Sequence, residues 1–217
     1  MLKTKLDIEQ FLKKFNITNY SINCDMSVDV NGNVNLSHGE EKLTEIPIQF
    51  NNVFGYFTCS YQKLTSLKGS PKYVEEDFDC DYNLLTSLKY CPTIVNGAFY
   101  ANNNQLITLA GDLESVNSNI FCSNNPLTSL KGLNARANFN LICDDSLIEE
   151  LILEELPLVK HKIFLSHREG KKILNFEEHY NSDNTLVMEL EDIKKTLLFY
   201  NMHRDLKSKE QRNTIKI

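Results

Sequence analysis

A period of 21 residues runs through the middle of the chain, from Val53 to Leu151. Phe57, Phe78, Phe99, Ile120 and Leu141 form one column of it; Cys59, Cys80, Ala101, Cys122 and Cys143 form another. Leu64, Leu85, Leu106, Leu127 and Ile148 make a third, and Leu67, Leu88, Leu109, Leu130 and Leu151 a fourth. Val53, Val74, Val95, Val116 and Ala137 open the units. Every position in the five columns is apolar, in a chain that is 41% hydrophobic. Self-similarity at an interval of about 20–50 residues marks stacked repeats. No unit of this length buries its apolar row alone, so coils must stack and join the rows into one core.

Within a unit, Phe78 and Cys80 are two apart, the period of a strand with alternate side chains pointing in. Leu85 and Leu88 are three apart, where the chain bends back over the core. Asn83, Asn104 and Asn125 share a column, five residues after the Phe/Ile column. An amide there can bond the backbone of its own turn and of the neighbouring coil. Gln62 and Ser146 replace it in the outer units, which predicts weaker turns at the ends. Gly69, Gly111 and Gly132 share a turn column broken by Tyr90, and Pro71 and Pro92 share another. These connections are too short for a helix of several turns, so extended or 3₁₀ segments are expected.

The segments Leu64-Thr65-Ser66-Leu67-Lys68-Gly69 and Leu127-Thr128-Ser129-Leu130-Lys131-Gly132 carry a further motif. The chain resembles the bacterial and phage leucine-rich-repeat family, with units of the form Phe-x-Cys-x-x-Asn-x-Leu-Thr-Ser-Leu-x-Gly. Ser27–Leu36 with Leu43-Thr44-Glu45-Ile46-Pro47 looks like the entry segment of phage-encoded members. The resemblance covers residues 1–151. It implies a leucine-rich-repeat solenoid with short parallel strands; with the N-terminal capping helix and the helical C-terminal cap read from the residues below, the expected fold class is α+β. For function it implies that the chain binds other macromolecules. For a phage-like member it points to a host or rival-defence protein, inhibited by occlusion.

Three segments follow: 1–26 as N-terminal helical cap, 27–151 as solenoid, and 152–217 as helical cap or small module. Ile8, Phe11, Leu12 and Phe15 form one apolar stripe, so Asp7 to Phe15 reads as a helix. Asp7 is its expected N-cap, with Gln10 three residues on. Capping the core is its expected job; membrane binding is the sharper alternative. Asn31-Gly32 sits between alternating apolar residues, a hairpin signal. The same stretch also fits a divergent first coil. Val34 and Leu36 then take the Phe and Cys columns, 23 residues before Phe57 and Cys59, and Leu43 and Ile46 take the two Leu columns. After Leu151 the period is lost. Thr185–Met202 reads as the clearest helix, Phe176–Tyr180 as a shorter one, and Ile163-Phe164-Leu165 as a buried segment. This region is either a cap or a second interaction module.

A net charge of −6 and a pI near 5.4 disfavour nucleic acid, which wants a basic face. No apolar run approaches the ~18 residues of a membrane span, and the start lacks the apolar segment of a signal peptide. A cytoplasmic protein is expected. Four of the six cysteines fall in one inward column, where a free thiol behaves as a small hydrophobe. Cys91 is expected to pack in a turn, and Cys24 is unassigned. The five histidines are scattered, and neither a Gly-x-Ser-x-Gly nor a phosphate-cradling loop occurs. His161, His167 and Glu177/Glu178/His179 match no metal spacing. The expectation is a non-enzymatic binding protein without a cofactor. The alternative is an enzyme or effector module in 152–217, scaffolded by the repeats.

Residues flanking the inward columns point outward and would form a continuous concave face. Its candidate binding residues are Tyr56, Thr58 and Tyr61; Asp77, Asp79, Asp81 and Tyr82; Tyr100 and Asn102; and Phe121 and Asn124. Exposed aromatics on a rigid face are anchors for protein partners. The three aspartates on one coil suit a basic or mixed partner surface. The alternative reading is that they merely solubilise the face; calcium ligation is a third, opposed by the missing Gly and closing Glu of a calcium loop.

Overall fold

The computed structural model describes residues 4–39, 41–128, 132–133, 141–144, 162–166 and 185–189. They form a parallel β-solenoid of about five turns with one short helix. The helix, α1 (Lys5–Lys14), is capped by Thr4, whose Oγ1 accepts from Asp7 N at 3.2 Å while donating to Asp7 Oδ2 at 2.6 Å. Asp7 is therefore the acidic partner of the cap rather than the cap. The helix ends in a Schellman motif. Asn16 turns left-handed (φ 55°), Asn16 N bonds Lys13 O, and Ile17 N bonds Leu12 O. Ile8, Phe11 and Leu12 are buried against the core, so α1 caps one end of the stack.

Next come β1 (Tyr20–Ile22), β2 (Ser27–Val30) and β3 (Val34–Asn35), then β4 (Gln49–Val53) and β5 (Phe57–Thr58). The array continues with β6 (Tyr73–Val74), β7 (Phe78–Asp79), β8 (Ile94–Val95), β9 (Phe99–Tyr100), β10 (Ser115–Val116), β11 (Ile120–Phe121) and β12 (Leu141–Asp144). Strands β13 (Lys162–Ser166) and β14 (Thr185–Glu189) complete it. Two sheets result: β1-β2-β4-β6-β8-β10, and β14-β13-β12-β11-β9-β7-β5-β3. All pairs are parallel except β1–β2 and β13–β14.

The coils from β2–β3 to β10–β11 thus each hold two strands where the sequence suggested one. The Val column is a strand of the first sheet, and the Phe column, four residues on, is a strand of the second. In-register partners follow the period: Val53 with Val74, Phe57 with Phe78, Ile120 with Leu141. The first coil fits the same frame, with Val30 opposite Val53 and Val34 opposite Phe57. Asn31-Gly32 is therefore a corner between the two sheets, not a hairpin turn. The hairpin of this region is β1–β2, turning through Met26 at φ 66°. A parallel partner on β4 satisfied the β2 backbone better than the local turn signal could.

The interior is made of the repeat columns, whose members are buried throughout the described residues. Phe57, Phe78 and Phe99 stack through it at 5.5 and 5.2 Å, and Phe50 meets Phe57 edge-on at 5.3 Å. The thiols of this column form no disulfide among the described residues: Cys80 Sγ donates to Tyr100 O and Cys122 Sγ to Ile142 O. Burial pushes the Cys59 and Cys80 thiols far up, and Cys91 to about 12. They are packing groups, not nucleophiles.

The Asn column is buried and saturated. Asn104 Oδ1 accepts from Leu85 N, and its Nδ2 donates to Cys80 O, Ala101 O and Asn102 O. Asn83 and Asn125 repeat the pattern one coil to either side. Gln62 also repeats it, accepting from Leu43 N and donating to Ser37 O, Ser60 O and Tyr61 O. The longer side chain reaches the first coil, so that end of the ladder is not weaker. Gly69 turns at φ +98°, and a Cβ there would meet Ile48 O at 2.5 Å. Tyr90 breaks that glycine column yet adopts the same left-handed backbone, φ 67°.

Beyond the periodic region, β13 pairs parallel to β12 with Leu141 opposite Ile163, adding a further rung. β14 then folds back antiparallel on β13. Thr185–Glu189 is therefore a strand where a helix was expected over Thr185–Met202. An open sheet edge beside β-branched Thr185 and Val187 outweighed the helical spacing. The rest of that helix, Phe176–Tyr180 and the histidines at 161, 167 and 179 lie outside the described residues.

Candidate interaction surface

The candidate residues lie on the outer face of the second sheet, on the corner that precedes it (Tyr56, Asp77) and on the corner that follows it. Strands β5, β7, β9 and β11 carry Thr58, Asp79, Tyr100 and Phe121 in one register row. After each strand the chain turns left-handed at Tyr61, Tyr82, Asn103 and Asn124, with φ of 54°, 54°, 54° and 57°. This turn aims the next side chain, the Gln/Asn ladder, into the core.

Two of those four turns carry a tyrosine. A bulky residue there costs about 1–2 kcal/mol. The rings stack 4.3 Å apart at 11°, offsetting about 0.5–1.5 kcal/mol for the pair. Both remain open to solvent, Tyr61 at 57% and Tyr82 at 46%. A second stack, Tyr100 on Phe121, lies at 4.8 Å and 2° on the neighbouring strands. Tyr56 is half-buried and Asn124 is exposed at the margins.

The aspartates lie on the coil of Tyr82, beside that of Tyr100, and each also ties coils together. Asp77 Oδ1 accepts from Ala98 N at 2.7 Å. Asp79 accepts from Thr58 Oγ1 at 3.1 Å and from Asp81 N at 2.9 Å. Asp81 accepts from Asn102 N at 2.6 Å and Asn102 Nδ2 at 3.1 Å, and Asn102 Oδ1 accepts in turn from Ser123 N. Sequence reasoning missed this structural share of their work. The signal was present in the column Ser60, Asp81, Asn102, Ser123, every member of which can accept a hydrogen bond.

Burial raises the Asp81 carboxyl to about 6; Asp79 adds to the rise and the Asn102 bonds oppose it. Tyr100 is raised by burial and then by Asp77, Asp79 and Asp81, so all three carboxylates lie within electrostatic reach of that ring. Tyr61 is raised by burial, then by Tyr82, with smaller contributions from Asp81 and Asp79. None of the face positions in these coils is a Lys or Arg; Lys63 lies just past the first left-handed turn. Among the described residues the ion pair found is Lys5–Glu9, on α1, so Asp77, Asp79 and Asp81 have no cationic partner there. No group of His, Cys, Asp and Glu among the described residues could hold a metal ion.

The first sheet offers a weaker candidate. An open groove of about 440 Å³ is lined by Asn19, Tyr20, Ser21, Asp29, Asn31 and Phe54. Its one carboxylate, Asp29, already accepts from Asn23 Nδ2, Asn51 Nδ2, Asn52 N and Asn52 Nδ2. Those bonds hold the β2–β4 bulge, where register shifts between Val28 and Val30. Asp29 therefore has little acceptor capacity left for a ligand.

Comparison with protein-family models, with curated proteins and with solved structures found no match. No helix among the described residues is long and apolar enough to cross a membrane.

Proposed function

We propose that this solenoid is a non-enzymatic binding module of the leucine-rich-repeat kind, which engages a protein partner through the outer face of its second sheet. The observation that carries this reading is a pair of aromatic stacks, Tyr61–Tyr82 exposed and Tyr100–Phe121 half-buried, close to carboxylates that have no cationic partner among the described residues. Rigid aromatic area supplies affinity at low entropic cost, and uncompensated charge selects a basic or mixed partner. The resemblance to phage-encoded repeat proteins suggests a host or defence protein as target, silenced by occlusion. A cytoplasmic setting fits that role.

The test compares capture of one defined partner from host lysate by three proteins. Tyr82→Ala with Tyr100→Ala is expected to lose the partner while unfolding at the wild-type midpoint. Phe54→Ala with Ile94→Ala, on the first sheet, is expected to retain it. Equal loss from both pairs overturns the assignment of the face.

A further inference from the structure

Two flat aromatic platforms adjoin the carboxylates of one coil. Asp79 is the register partner of Tyr100, whose ring lies parallel to that of Phe121. Asp81 follows on the same coil and leads directly into Tyr82, whose ring lies parallel to that of Tyr61. The tyrosine platform is held where the backbone disfavours it. Asn103 and Asn124 make the same left-handed turn in the next two coils, so the turn does not require a ring. Exposed rings kept at strained positions are a functional signal once the fold is seen to manage without them.

We infer that this face recognises the guanidinium groups of an arginine-bearing peptide segment, the cation plane lying against an exposed ring while its N–H edge meets Asp79 or Asp81. The inference rests on the reading of the face as a protein-binding surface and adds the chemistry of the partner. Charge complementarity selects a cation, because the three aspartates have no ion pair among the described residues. Planar geometry then selects arginine over lysine. A guanidinium stacks on a ring and presents a fork of donors to a carboxylate at the same time, whereas an ammonium is a compact point charge. Asp79 and Asp81 are each already anchored by donors from their own or a neighbouring coil, so they are pre-oriented when the cation arrives.

The test titrates the full chain, at low ionic strength, with a labelled alternating arginine–glycine decapeptide and with its lysine–glycine counterpart. The wild type is expected to bind the arginine peptide about tenfold more tightly than the lysine peptide. Tyr61→Asn with Tyr82→Asn keeps the turn chemistry and is expected to abolish that preference. Asp79→Asn with Asp81→Asn is expected to lose both peptides, with circular dichroism and the unfolding midpoint confirming that each variant is folded. Equal affinity of the wild type for the two peptides overturns the inference, as does an arginine preference that survives in the Tyr→Asn variant. Failure to bind either peptide overturns it too. In these cases the broader reading still stands if the lysate partner is lost with Tyr82→Ala and Tyr100→Ala; if it is not, both fall. Sedimentation that shows wild-type self-association, abolished in the Tyr→Asn variant, would make a second copy of this chain the occupant and also overturn it.

Discussion

Single side chains here carry opposite burdens. Asn104 satisfies four backbone groups from two coils. Asn104→Ala leaves them without partners in a dry interior and is expected to cost on the order of 3 kcal/mol, read from the denaturation midpoint. Tyr61 and Tyr82 work the other way. Replacing both by Asn should leave the midpoint unchanged or raise stability by about 1 kcal/mol, because relieved backbone strain outweighs the lost ring stack. A large drop would show that the tyrosines are structural. Asp81 adds a pH dependence. Its folded value, about 6, lies above the ordinary 3.8, so the folded state holds the proton more tightly. The group's penalty is absent below the ordinary value, grows as pH rises through about 6, and is fully present at neutrality. The stability of the wild type minus that of Asp81→Asn should therefore increase as pH falls from neutrality to below the Asp81 value. A carboxyl resonance for Asp81 that titrates at the ordinary value would refute this.

Strands of two residues are too short to persist alone, so each coil depends on its neighbours. The Phe and Leu columns are what one coil offers the next. Leu85→Ala or Leu106→Ala should cost about 2–5 kcal/mol each, since neither site can collapse between two fixed rungs. The effect should appear as one cooperative loss in denaturant rather than as a detached coil, if the stack behaves as a chain of nearest-neighbour interfaces. The helix α1 closes one end of that chain with Ile8 and Leu12, and its cap is a hydrogen-bonded Thr4–Asp7 pair. Thr4→Ala should cost about 1 kcal/mol.

At the scale of the whole solenoid, Asp77, Asp79 and Asp81 concentrate negative charge at the second sheet, and Lys68 and Lys89 lie on the turn segments well past its left-handed corner. A partner held by that field is expected to be released as ionic strength rises and as pH falls through the Asp81 range, whereas the solenoid itself persists. The repeat, its five buried columns and the Asn ladder were legible in the residues, because an apolar position recurring every coil has to face the axis. The first sheet was not. A strand of two residues such as Tyr73-Val74 has no periodicity to detect, and it exists because its backbone groups find partners in the coils on either side. The same limit explains the corner at Asn31-Gly32 and the strand at Thr185–Glu189, where local signals favoured a hairpin and a helix. The outward positions of the candidate face could be listed from the period. That the tyrosines stack, that the aspartates are tied to the next coil, and that two rings sit on left-handed backbone depend on the spacing between rungs, which only stacking sets.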